Sequence, residues 1–190
     1  PSFAQCRGPR DVGFNLTFGE DVGSPERTDI KNARCLVLIG SHLGENMHNT
    51  QVQEFARAIE RRIPVIVVDP RFSVAASKAK YWLPVKPGTD IALLLAWANL
   101  LVTEGRYDRE FVAKHGHGFE QFVAEIKDYT VEWAAKETGV DAELIRAAAR
   151  EFASHRPATL IHPGRRVNWY GDDTQRSRAV ALLTALLGSW

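Results

Sequence analysis

Two uninterrupted apolar runs stand out along the chain, Leu36-Val37-Leu38-Ile39 closing on Gly40 and Val65-Ile66-Val67-Val68 closing on Asp69. Neither alternates with polar residues, which suits strands buried on both faces. Between them, from about Asn49 to Arg62, Val52, Phe55, Ala56 and Ile59 recur at helical spacing, leaving Gln53, Glu54, Arg57 and Glu60 for solvent. Strand, helix and strand over about 30 residues predict a βαβ unit with a right-handed crossover. Ligands of such sheets sit at the carboxyl ends of the strands. Here those ends are Gly40-Ser41-His42 and Asp69-Pro70-Arg71.

The rest of the chain extends this unit. Residues 1–34 are loop-rich with one helix-competent stretch, Pro9 to Phe18, which Gly19 is placed to end. A short helix is expected from Val74 to Ala79, then a third strand, Tyr81 to Val85, whose Pro84 cannot donate to a ladder and assigns it to a sheet edge. A turn at Lys86-Pro87-Gly88-Thr89-Asp90 leads into a helix from Ile91 to Thr103, with Thr89 or Asp90 as its N-cap. Residues 106–155 read as short helices broken at Gly116-His117-Gly118 and Gly139, the last of them capped by Asp141 and striped with Leu144, Ile145, Ala148 and Phe152. A strand follows from Ala158 to His162 and ends in Pro163-Gly164-Arg165-Arg166. A last helix, Thr174 to Leu187, is capped by Asp172 or Asp173. The expected fold is α/β: a Rossmann-like domain with a parallel sheet and a helical insertion at about 106–155 packed on it.

Composition narrows the function classes. With 190 residues, 45% hydrophobic and 25% charged, and a net charge of +1, the chain has the balance of an ordinary globular piece and lacks the basic excess that nucleic acid favours. The apolar run Ile91 to Val102 is too short to cross a bilayer and carries Asn99, so it reads as a core helix. Two cysteines are no disulfide framework. Cys35 heads a buried strand, whereas Cys6 lies among Arg7, Gly8, Pro9 and Arg10, where neighbouring cations favour the thiolate. A start at Pro1 and an end at Gly188-Ser189-Trp190 straight after an apolar helix make an interior piece of a longer protein the expectation.

Several residues are placed for chemistry. The loop after the first strand, Gly40-Ser41-His42-Leu43-Gly44-Glu45, lacks the Gly-x-Gly-x-x-Gly of NAD-binding folds, yet a glycine at a strand end still lets a ligand approach the backbone. Asp69 stands where such sheets use an acid for ribose hydroxyls, with Arg71 beside it for a phosphate or a base; an Asp-Pro turn with a solvated Arg is the plainer alternative. Asp90 suits either the paired N–H donors of a guanine edge or the cap of the following helix. Arg165 and Arg166 suit an anion, or an ion pair with Asp172 or Asp173. His115-x-His117, flanked by glycine, reads as surface rather than as half a metal site.

Taken together these stretches resemble one family. Thr28-Asp29-Ile30-Lys31-Asn32-Ala33 before the first strand, Asp69-Pro70-Arg71 after the second, Lys86-Pro87-Gly88-Thr89-Asp90-Ile91-Ala92-Leu93, and Trp169-Tyr170-Gly171 with the helix to Leu187-Gly188 occur in the order found in the molybdopterin oxidoreductases of the dimethyl-sulfoxide-reductase superfamily. The resemblance covers essentially the whole chain and is nearest the polysulfide and thiosulfate reductase branch, through Gly164-Arg165-Arg166 and Asn168 to Ser177.

The resemblance implies one of two α/β domains that share a bis(molybdopterin guanine dinucleotide) cofactor with molybdenum or tungsten. Residues 1–34 would be the metal-ligand segment with its connecting loops, and residues 35–190 the pterin-dinucleotide domain. It implies Cys6 as the protein ligand to the metal, a soft thiolate beside dithiolene sulfurs, with Arg7 next to it at the cofactor. It places Gly40, His42 and Glu45 at one pterin guanine dinucleotide, Asp69, Pro70, Arg71, Gly88 and Asp90 at its guanosine end, and Gly164 and Arg165 near the metal, Arg165 holding a small anionic substrate. A cysteine ligand points away from sulfoxide and amine-oxide reductases. Arg7-Gly8-Pro9 replaces the His-Gly-Pro usual in formate dehydrogenases, which argues against formate, and arsenate reductases and phenylacetyl-CoA oxidoreductases lie nearby. The implied setting is anaerobic respiration on the periplasmic face of the membrane. The implied companions are a 4Fe-4S cluster in the N-terminal part of the enzyme, a ferredoxin-like electron-transfer subunit and a quinol-interacting membrane anchor.

Overall fold

Every residue of the two central strands is buried, β1 (Cys35–Ile39) and β2 (Val65–Val68) alike. In the computed structural model, which describes residues 8–20, 28–41, 43, 49–162, 164 and 171–189, they pair in parallel with Leu36 beside Val65 and Ile39 beside Val68. β3 (Tyr81–Leu83) adds to β2 and β4 (Thr159–His162) to β1, giving a parallel four-stranded sheet in the order β3-β2-β1-β4. The chain steps outward through β2 and β3, then returns to the other side of β1. The reversal of strand order therefore lies between β1 and β4, where open α/β sheets have their ligand crevice.

The alternation of side chains along each strand builds two cores. Leu36, Leu38, Val65 and Val67 pack against Ile30, Leu43 and the helix α2 (Asn49–Glu60) through Phe55 and Ala58. Cys35, Val37, Ile39, Ile66 and Val68 face the larger core with α1 (Gly8–Phe18), α3 (Asp90–Thr103) and the later helices. Cys35 is a core residue as expected, and burial pushes its thiol up to about 12, helped by the Glu151 carboxylate. Edge strand β3 stops at Leu83, because Pro84 has no N–H to continue the ladder.

Residues 106–155 carry α4 (Arg109–His115), α5 (Phe119–Ile126), α6 (Val131–Thr138) and α7 (Ala142–Ser154). Asp108, Thr130 and Asp141 cap α4, α6 and α7 by accepting from Phe111, Trp133 and Leu144 N–H. Ile126, Val131, Ala134, Ile145 and Phe152 lie in the same core as α3, where the Trp97 ring meets Phe152 edge-on at 5.1 Å. Asn99, the polar residue of the apolar run, donates to the carbonyls of Ile126 and Lys127 at 2.9 and 3.1 Å. Among the described residues no helix is long and apolar enough to cross a membrane.

The closing helix α8 (Asp173–Leu186) packs on α1 so tightly that a Cβ at Gly13 would stand 2.7 Å from Arg178 N and Ser177 Cβ. Four local expectations change. In α2 the buried face runs through Gln51, Phe55 and Ala58, with Ala56 exposed, because Gln51 Nε2 turns inward to Thr28 Oγ1 at 3.0 Å. The helix expected at Val74–Ala79 is a three-residue 3-10 turn, Ala76–Lys78, started by the Ser73 hydroxyl accepting Ala76 N–H. Thr89 holds the cap position of α3, but its hydroxyl donates to Lys86 O at 2.7 Å instead of capping. Asp172 precedes α8 in a left-handed conformation, φ 52°, and its side chain makes no cap bond.

Candidate functional site

The carboxyl edge of the sheet is built from four loops. β1 ends at Gly40, φ 57°, whose N–H continues the ladder to Val68 O at 3.0 Å. β4 ends at His162, buried to 3% exposure, and Gly164 follows with φ +67°. A Cβ on Gly164 would collide with the Ile39 carbonyl oxygen and approach Gly40 O to 3.4 Å. Bare backbone of the β4 loop thus crosses the end of β1 at the point where strand order reverses. Only glycine allows both that φ and that approach.

Polar groups fasten the crossing. Gly164 N–H donates to His162 Nδ1 at 3.1 Å, so the His162 proton lies on Nε2 when the ring is neutral. Gly164 O accepts from Arg10 Nη1 at 3.4 Å, and Arg10 Nε is 3.8 Å from Asp11 Oδ1. Arg10 and Asp11 are buried in the first turn of α1, immediately after the stretch that carries Cys6. Arg10 therefore ties the segment following Cys6 to the loop preceding Arg165.

At the end of β2, Asp69 is 6% exposed and locked on three sides. Its N–H donates to Leu83 O at 3.2 Å, its carbonyl accepts Trp82 Nε1 at 2.8 Å, and its Oδ1 accepts Arg71 N–H at 2.8 Å. That last bond closes a turn around Pro70, while Pro70 and Arg71 stay exposed. Both readings of Asp69 are thus compatible: it forms the Asp-Pro turn and also presents a fixed carboxylate at a strand end. Exposed Phe72 meets Trp82 edge-on at 4.9 Å beside it.

The loop leaving β3 holds Gly88, φ 85°, and Asp90, the first residue of α3. Asp90 Oδ1 is 3.7 Å from Nε of Arg176, which is 5% exposed in the first turn of α8. Burial pulls the Arg176 guanidinium down, against the opposing charges of Asp90 and Asp173.

Gly40, Asp69, Pro70, Arg71, Gly88, Asp90 and Gly164 therefore all lie on loops at the carboxyl edge, with Gly40 and Gly164 at one backbone crossing. Cys6, Arg7, His42, Glu45, Arg165 and Arg166 lie outside the described residues. His115 is the last residue of α4 and His117 lies on the loop after it, both exposed. Asp11, His162 and Arg176 are polar residues of the site that pattern reading passed over, and Arg10, read there as a cation beside Cys6, is buried against the β4 loop instead. His162, a histidine closing an apolar strand, is the one that carried a visible signal. The arrangement offers bare backbone at the strand-order reversal, a fixed carboxylate at the next strand end, and two 14-residue helices, α3 and α8, starting at this edge. It suits a long anionic nucleotide laid across the strand ends.

Comparison with known proteins gives four concordant findings. The family model for molybdopterin oxidoreductase matches residues 4–190. The thiosulfate reductase molybdopterin-containing subunit of Salmonella typhimurium is 33% identical over 184 residues, 97% of this chain and 24% of that protein. The F420-dependent formate dehydrogenase 1 subunit alpha of Methanococcus maripaludis is 35% identical over 151 residues, 80% of this chain and 22% of that protein. Among solved structures, acetylene hydratase from Pelobacter acetylenicus superposes with a TM-score of 0.90 at 32% identity, covering 98% of this chain and 25% of that one. The chain spans about a quarter of the length of these relatives.

Proposed function

The chain belongs to the molybdopterin oxidoreductase family, and from that premise we propose that it is one cofactor-binding domain of a larger molybdenum enzyme reducing an inorganic sulfur compound, polysulfide or thiosulfate. The family implies molybdenum held by molybdopterin. The observation that carries the domain's role is the Gly164 loop crossing the end of β1, because it brings bare backbone of both loops together at the reversal of strand order, where open α/β sheets take their ligand.

In this reading the guanine dinucleotide form of the cofactor runs along the carboxyl edge. Gly40, with His42 and Glu45 on the same loop, lets it approach the backbone; Asp69 accepts ribose hydroxyls; Pro70, Arg71 and Gly88 shape the guanosine end; Asp90 takes the base. Cys6, with Arg7 beside it, is the ligand to the metal. Arg165 draws a small anion toward it through its charge. Bound there, the molybdenum centre supplies two-electron chemistry that no side chain can. The residues of this chain hold the cofactor, keep water from its reactive end and orient the anion.

Sulfur chemistry has two supports: the thiosulfate reductase relative matches 97% of this chain, against 80% for the formate dehydrogenase, and Arg7 stands in place of the histidine usual in formate dehydrogenases. The formate dehydrogenase relative at 35% identity and the acetylene hydratase structure at 32% make the substrate a matter for experiment. The companions proposed are a 4Fe-4S cluster outside this domain, a ferredoxin-like iron–sulfur subunit and a quinol-interacting membrane anchor, with the assembly on the periplasmic face. The test is metal analysis of the full-length protein together with oxidation of reduced viologen by polysulfide, thiosulfate, arsenate and nitrate. Molybdenum with fastest turnover on a sulfur compound is expected. Absence of both molybdenum and tungsten overturns the enzyme reading, and a preference for arsenate or nitrate overturns the sulfur reading.

A further inference from the structure

Arg176 carries a buried charge: its Nε and Nη2 are shut off from solvent and have no hydrogen-bond partner among the described residues. Burying a guanidinium is unfavourable unless opposite charge compensates it. The compensation comes from carboxylates at the starts of two helices, Asp90 of α3 at 3.7 Å and Asp173 of α8. At that distance the Asp90 contact is an ion pair and not a hydrogen bond.

The geometry leaves Asp90 with a particular character. Its side chain is 17% exposed while that of Arg176 is 6% exposed, so the carboxylate keeps a solvent-accessible side and the cation beside it does not. The nearby Thr89 hydroxyl does not compete, being committed to Lys86 O at 2.7 Å. The Arg176 contact with Asp90 Oδ1 is long, at 3.7 Å, and a carboxylate has lone pairs on both oxygens. A carboxylate so held matches an edge presenting two adjacent N–H donors. Guanine presents such an edge at N1–H and its 2-amino group. Cytosine presents one amino donor beside two acceptors and mismatches it.

We infer that Arg176 is a positioning residue that, through Asp90, selects a guanine over a cytosine nucleotide at this end of the site. It does not touch the base, since its Nε and Nη2 are enclosed. The inference rests on the reading above that Asp90 meets the guanosine. With a neutral residue at 176, Asp90 and Asp173 lose their common cation and the Asp90 carboxylate loses its fixed orientation.

The test uses the full-length protein freed of cofactor, with GMP and CMP binding measured by calorimetry for the wild type, Arg176→Met, Arg176→Lys and Asp90→Asn. The wild type is expected to prefer GMP. Arg176→Met should lose about tenfold in GMP affinity, the scale of one charge-assisted interaction, with little change for CMP, so that the preference collapses. Arg176→Lys keeps the charge and should restore the preference. Asp90→Asn should collapse it as well. An unchanged GMP to CMP ratio in Arg176→Met, or no rescue by Arg176→Lys, with Asp90→Asn still collapsing it, overturns the role of Arg176 alone. An unchanged ratio in Asp90→Asn, or no GMP preference in the wild type, overturns the placement of the guanosine and the inference with it. Melting curves accompany each variant, and Arg176→Gln gives the same readout if Arg176→Met does not fold.

Discussion

Gly164 lies against the carbonyl oxygen of Ile39 with no room for a side chain between them. The contact joins the loops of β4 and β1 at the reversal of strand order and also uses a left-handed φ of +67°. Gly164→Ala therefore meets two penalties, backbone strain of about 1–2 kcal/mol and a displacement of the loop by the new methyl group. The expected outcome is a lower melting temperature together with reduced molybdopterin content in the purified full-length protein. Normal cofactor content would place the nucleotide away from this crossing.

How much of this was legible before the structure depends on whether the signal is local. β1 and β2 declared themselves because a strand buried on both faces must be apolar throughout, and Pro84 marked the edge strand because a missing N–H is a local fact. Asp141 capping α7 was legible for the same reason. The strand order was not, since nothing within Thr159–His162 says that it pairs with β1 rather than with β3. The burial of Arg10, Asp11 and Arg176 was hidden too: a charged residue reads as solvated until its partner, distant in sequence, is known. The inward turn of Gln51 was hidden in the same way, since its amide donates to Thr28, 23 residues earlier in the chain. The candidate residues at strand ends were found because position at the carboxyl edge follows from the strands themselves.

Asn99 is a polar residue whose role is structural. Its amide bridges α3 to the end of α5 through two carbonyls, and it is 8% exposed. Asn99→Ala leaves both carbonyls without that donor in a buried setting, at a cost of about 1–3 kcal/mol. Chemical denaturation should show the loss, with cofactor content unchanged in whatever fraction remains folded. Wild-type stability in Asn99→Ala would mean that water replaces the amide.

The contact between Lys80 and Glu151 gives stability a pH dependence of known sign. Burial pushes the Glu151 carboxyl up, but hydrogen bonds from Lys80 at 2.6 Å and His155 at 3.3 Å outweigh it and hold it below its ordinary value. The same bond to Glu151 raises Lys80. A depressed acid contributes above its unfolded pKa of about 4.3 and loses that contribution as pH falls through the folded value; a raised lysine contributes below about 10.4 and loses it as pH rises through its own folded value. Lys80 is half exposed, so the pair contributes about 0.5 kcal/mol at most. Urea denaturation should find Glu151→Gln slightly less stable than wild type at neutral pH, with the difference vanishing at low pH. A difference that persists there would assign the loss to packing of α7 rather than to charge.

Asp69 separates turn chemistry from ligand chemistry most cleanly, because one atom serves each. Its Oδ1 accepts Arg71 N–H at 2.8 Å and so builds the turn around Pro70. An amide oxygen accepts that N–H nearly as well, but it lacks the negative charge that strengthens bonds from ribose hydroxyls. Asp69→Asn should therefore melt within about 0.5 kcal/mol of wild type, the range of a substitution that keeps its structural bond, yet retain markedly less cofactor on purification. Asp69→Ala loses the turn bond as well and should cost about 1–2 kcal/mol in addition to the cofactor. The comparison turns on Asp69→Asn: wild-type molybdopterin content there, alongside a destabilised Asp69→Ala, would make Asp69 a turn residue only and move the ribose contact to another side chain of the carboxyl edge.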